Sequence, residues 1–186
     1  MSDQKTILVT GGCGFIGSHI VDRLIEDGVR VVVLDDLSTG TVLNLNQKAI
    51  FYQGDAGDRM FVDKIFKQHQ FSCVIHQATK INTNVLHEDP SHDVHCSISS
   101  TIALSENCIR HNVDKLIFAS SVAVYGRPAN LPATEDSPIL PISSYGIAKY
   151  CAESYLRYFS VNCGLKYQIL RYVNVFGPRQ PIYGEV

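Results

Sequence analysis

The chain has 186 residues, 45% hydrophobic and 18% charged, which suits one globular domain with a sizeable core and excludes a disordered segment. Its formal net charge of −2 offers no basic footprint for nucleic acid, and no run approaches the roughly 18 apolar residues of a membrane helix. No charged segment followed by an apolar stretch marks secretion, and the cysteines (Cys13, Cys73, Cys96, Cys108, Cys151, Cys163) lack CxxC spacing, which predicts reduced packing thiols in a cytoplasmic protein.

Short apolar runs alternate with helical patterns. Lys5 to Thr10 reads as a buried strand, and Gly14 to Asp27 as a helix with Ile16, Ile20, Val21, Leu24 and Ile25 on one face. Val29 to Leu34 and Ile50 to Gln53 are the next strands. A helix over Asp58 to Gln70 and a strand over Ser72 to His76 follow. Pro90 to His111 is helical, with proline suited to a first turn, and Lys115 to Ser120 is the fifth strand. Arg127 to Ile142 is a proline-rich loop. Ser143 or Ser144 caps a helix reaching Cys163 before Gly164, and Lys166 to Arg171 is the sixth strand. The alternation predicts an α/β fold: a doubly wound parallel sheet with helices on both faces, in three layers, binding ligand at the C-terminal strand ends.

The first strand ends in TGGCGFIGSH. Gly12, Gly14 and Gly17 match GxGxxG, and Gly11, Gly14 and Gly17 match GxxGxxG. Either frame, between strand and helix, makes a tight turn that brings backbone and a helix N-terminus to a pyrophosphate. Asp35 closes the second strand, where a carboxylate accepts ribose hydroxyls and repels a 2′-phosphate, so NAD is expected over NADP. Asp55 follows the third strand, either beside the adenine or as a turn or N-cap acid before the helix at Asp58.

FASSVAVYG places Ser120 and Ser121 at the end of the fifth strand, and SSYGIAKY places Tyr145 and Lys149 one helical turn apart. Serine, phenol and ammonium can converge over a nicotinamide. Making a phenol ionise near neutral pH requires roughly 4 kcal/mol of differential stabilisation, which a close ammonium and a positive nicotinamide in a dry site can supply. The phenolate then takes a hydroxyl proton as hydride leaves the same carbon.

Together these segments, with VLDDLSTG, GDAGD, VIHQAT and LRYVNVFGPRQ, resemble the extended short-chain dehydrogenase/reductase family, nearest its NAD-dependent nucleotide-sugar epimerases of the UDP-glucose 4-epimerase kind. The resemblance implies a Rossmann-type NAD-binding domain over residues 1–186. It implies cofactor contacts at Gly11, Gly12, Gly14, Phe15, Ile16, Gly17, Asp35, Asp36, Ser38, Asp55, Ala56, Ala78, Tyr145, Lys149 and Val173. Catalytic roles fall to Ser121, Tyr145 and Lys149, and nucleotide-sugar contacts to Ser121 and Asn174. In such epimerases the sugar 4-hydroxyl is oxidised, the 4-keto sugar turns, and hydride returns to its other face. Related dehydratases carry an Asp-Glu pair after the catalytic Ser or Thr, and decarboxylases a Glu. Here Val122 and Ala123 follow, favouring an epimerase, with a simple dehydrogenase or reductase as the alternative.

Two departures stand out. The family's Asn-x-x-Gly-Thr reads Ser97-Ile98-Ser99-Ser100-Thr101, so a side chain at Ser100 is expected to crowd the helix packing. Family members also continue into a C-terminal substrate-binding domain, whereas this chain stops at Val186. It is therefore expected to bind NAD and to turn over little UDP-hexose by itself. A non-catalytic dinucleotide-binding protein is the reading from another class. His92 and His95 stand at i,i+3 near His87 and Glu88, but a solvated polar face is expected over a metal site. His76 is expected to bond structurally, and Lys80 to point toward the cleft. Helices 90–111 and 144–163 could pair in a homodimer through Ile98, Ile102, Ile109, Ala148, Ala152, Leu156 and Phe159, residues that could equally cover the sheet.

Overall fold

In a computed structural model, residues 5–79 and 90–180 are described; Lys80, His87 and Glu88 lie outside them. Six parallel strands, β1 (Thr6–Thr10), β2 (Arg30–Asp35), β3 (Ile50–Gln53), β4 (Cys73–His76), β5 (Lys115–Ser121) and β6 (Tyr167–Tyr172), form one sheet in the order β3-β2-β1-β4-β5-β6. The winding reverses between β1 and β4, so a crevice opens beyond their C-terminal ends.

Strand parity sorts the core. Leu8, Val32, Leu34, Val74, Leu116 and Phe118 face one side. There they meet α2 (Arg59–Gln68), α4 (Ser100–Arg110) and α5 (Ser144–Cys163). Val9, Val31, Val33 and Ile75 face the other side, against α1 (Phe15–Glu26). Helices thus lie on both faces, unequally. Side chains cap two of the helix starts. The Asp58 carboxylate accepts from the Met60 and Phe61 amides ahead of α2, and Ser143 Oγ accepts from the Gly146 amide ahead of α5.

The helix expected from Pro90 to His111 is not uniform. A short α3 (Pro90–Asp93) widens into a π segment (Val94–Ser99) before α4 resumes. Ala152, Leu156 and Phe159 are buried in the core that covers the sheet, Ile102 and Ile109 pack on the same core, and Ala148 is buried too. The outward row of α5 is instead Ile147, Tyr155, Tyr158 and Val161.

Candidate active site

At the end of β1 the Gly11 amide donates to Leu34 O, and Gly11 adopts φ +69°. A β-carbon on Gly17 would stand 2.0 Å from Gly11 O, so the turn closes only around hydrogen. Gly12 is different: its α-carbon faces the core, where a side chain would strike Val33 and Val21. Gly14 precedes α1 with no side-chain cap, leaving the positive helix end at Phe15, Ile16 and Gly17 open to an anion. The side chains of Phe15 and Ile16 line an apolar groove of about 520 Å³ with Val175 and Phe176.

Asp35 is buried and has two jobs. One oxygen accepts from the Cys13 amide at 2.9 Å, inside the glycine turn, and the other from the Leu37 amide at 2.8 Å. Each oxygen keeps a second lone pair for a hydroxyl. Burial is the main reason its carboxyl lies above the ordinary range, opposed by the two amides. Asp36 is exposed and accepts from the Ser38 amide.

Asp55 accepts from the Gly57 amide at 2.7 Å and pairs with His95 Nε2 at 2.5 Å. Burial opposes ionisation here, but His95 and Gly57 prevail and hold its carboxyl below the usual value. The next residue, Ala56, is buried. The helix cap is Asp58, so the turn reading of Asp55 is realised without the capping one.

The other end of the crevice is built by β5, α5 and β6. Ser121 Oγ accepts from the Ala123 amide and starts a 3₁₀ turn over Val122–Tyr125. A β-carbon on Gly146 would lie 2.6 Å from Ala123 O, so α5 enters directly against that turn and brings the half-buried Tyr145 beside it. Lys149 is fully buried. Its Nζ donates to Ala119 O at 2.9 Å and lies 5.6 Å from the Tyr145 ring centre and 4.8 Å from that of Phe118. Burial pulls this amine down to about 7, against Cys96, Asp93 and Glu153, which raise it. Burial thus works against the charged form of the ammonium expected to flank the phenol. Beyond β6, Val173 and Asn174 are exposed on a strap tied to α1 by His19 to Pro178 O at 2.9 Å and Arg179 to Asp22 at 2.7 Å.

Residues 7–185 match the model of the NAD dependent epimerase/dehydratase family. The chain belongs to this family. A UDP-glucose 4-epimerase of Azospirillum brasilense is 35% identical over 181 residues, covering 95% of this chain and 52% of its own length. The crystal structure of UDP-glucose 4-epimerase with UDP-glucose from Thermotoga maritima superposes with a TM-score of 0.93 at 45% identity, covering 97% of this chain and 59% of that one. The UDP-glucose 4-epimerase of Thermus thermophilus, in complex with NAD, gives 0.91 at 41% identity, with 97% and 58% covered. The chain thus spans little more than half the length of these relatives.

A dinucleotide fits the epimerase-family residues present: an uncapped helix start, a turn closed around glycine, and a buried carboxylate with spare lone pairs. At Ser100, directly after the π segment, the hydroxyl is bonded on two sides. His76 Nε2 donates to Ser100 Oγ at 3.0 Å, Ser100 donates to Cys96 O, and Thr10 donates to His76 Nδ1 at 2.7 Å. That order follows because Ser100 has one proton, already given to Cys96. Burial, aided by the charge of Lys149, pulls His76 down to about 3 and keeps it neutral. Ala78 joins this chain through its amide, which donates to Thr10 Oγ1, and its backbone abuts Gly11. Ser97 is less well served: its buried hydroxyl has no hydrogen-bond partner among the described residues.

Sequence reasoning missed a second set of polar residues. Glu153, with no exposed surface, accepts from Ser120 Oγ at 2.5 Å and from Arg171 through Nε at 3.0 Å and Nη2 at 2.7 Å. Arg171 Nη1 donates to Tyr125 Oη at 2.6 Å. The available signal was the spacing: Glu153 follows Lys149 by four, on the buried side of α5.

Proposed function

We propose that the chain binds NAD across the C-terminal strand ends and that the protein is a nucleotide-sugar 4-epimerase acting on UDP-hexoses. The observation that carries this reading is Lys149 Nζ at 5.6 Å from the Tyr145 ring, on a helix packed against the turn that Ser121 begins, across the switch point from the glycine turn. Gly11, Gly14 and Gly17 with the first-turn amides of α1 would hold the pyrophosphate, and Asp35 the adenosine ribose. Asp36, Ser38, Asp55, Ala56, Ala78 and Val173 would line the same path.

NAD, when bound, supplies reversible hydride acceptance at the sugar C4. The remaining chemistry falls to the chain. Tyr145 takes the 4-hydroxyl proton and returns it, and Lys149 stabilises the phenolate when protonated. Ser121 bridges phenol and substrate oxygen, and Asn174 steadies the diphosphate. Val122 and Ala123 follow Ser121 where a dehydratase carries its carboxylates, which supports epimerisation over dehydration. The outward row Ile147, Tyr155, Tyr158 and Val161 would pair two copies, to be checked by sedimentation.

Calorimetry tests cofactor binding: NAD should bind and NADP much more weakly, and no NAD affinity would overturn the reading. Incubation with UDP-galactose and NAD tests the chemistry. Slow formation of the C4 epimer, abolished in Tyr145→Phe, is expected, whereas stoichiometric release of NADH would assign a dehydrogenase instead.

A further inference from the structure

The Glu153–Arg171 pair is costly to bury. Its carboxylate is fully enclosed and the guanidinium mostly so, and such pairs seldom stabilise a fold more than apolar residues would. Its placement suggests another use. Glu153 rises from α5 one turn beyond Lys149. Ser120, its hydroxyl donor, is the neighbour of Ser121 on β5. Arg171 lies on β6, two residues before Val173, and reaches Tyr125 in the turn that Ser121 begins. Its ring contact with Tyr125, at 4.9 Å, adds a second link to the same turn. Four segments that carry the nicotinamide end of the site therefore meet on one ion pair. The bidentate geometry matters, because a planar fork fixes direction as well as distance.

We propose that Glu153 and Arg171 are positioning residues that align Ser121, Tyr145, Lys149 and Val173 for the nicotinamide half of the cofactor, without touching it. The inference rests on the NAD-binding reading above. The adenosine half is held by the glycine turn and Asp35, which share no hydrogen bond with this network. Loss of the pair should therefore weaken recognition of one half only.

The test compares NAD with ADP, which carries the adenosine and pyrophosphate but lacks the nicotinamide riboside. Arg171→Lys and Glu153→Gln should each weaken NAD binding by roughly tenfold or more, as misplaced contacts do, and leave ADP binding unchanged. Ser120→Ala, which removes one hydroxyl and no charge, should do the same to a smaller degree and serves where the charged variants fail to fold. Variants that lose NAD and ADP equally, or lose neither, would refute the positioning role while NAD binding stands. A wild-type chain that binds neither ligand would instead bring down the NAD reading, and this inference with it.

Discussion

The two ends of the crevice are built by different means. The end proposed for adenosine is local and made of backbone: Gly11, Gly14, Gly17 and the start of α1 lie within one short stretch, with Asp35 added from the adjoining strand. The end proposed for the nicotinamide is assembled from afar. Ser121, Tyr145, Lys149, Glu153 and Arg171 come from β5, α5 and β6, where a buried ion pair ties α5 to β6. One end fails when an atom is added, the other when a charge loses its partner.

The largest effect is expected at the second end. Arg171→Met leaves the Glu153 carboxylate buried and unpaired, which should cost about 3–5 kcal/mol in urea unfolding. Adding Glu153→Gln should return much of that loss, because the stranded charge disappears. At the first end, Gly17→Ala drives a methyl to 2.0 Å from Gly11 O, and backbone cannot yield as a side chain can. A loss of about 1–3 kcal/mol and of NAD affinity is expected, read by thermal unfolding and calorimetry.

Lys149 sharpens the contrast through pH. Its folded value of about 7 lies below the unfolded 10.5, so across that window the unfolded chain holds the extra proton. Stability should climb with pH there, by at most about 1.4 kcal/mol per unit, and Lys149→Met should flatten this slope. The smallest change is Ser143→Ala, which frees the Gly146 amide at the start of α5 and should cost about 1 kcal/mol in thermal unfolding.

Much of the first end could be read from sequence, because glycine spacing and an acid after an apolar run are local signals. The six strands likewise fall within a residue or two of their apolar runs. The π segment at Val94–Ser99 could not be read, since an apolar pattern does not distinguish a widened turn from a regular one. What the hydroxyl of Ser100 would meet could not be read either, since its partner is the ring of His76, 24 residues away in sequence. The pairing of Asp55 with His95, from another segment, had no local signal either.

The order of residues alone determined the alternating α/β plan, the glycine turn, Asp35 and the Tyr145–Lys149 spacing, because strand parity and helical periodicity act between near neighbours. Only the tertiary structure decided which serine faces Glu153 and which starts the next turn, that Arg171 neutralises Glu153, and that burial opposes the charge on Lys149. Those outcomes depend on how completely water is excluded where β5, β6 and α5 meet, and no single segment determines that exclusion.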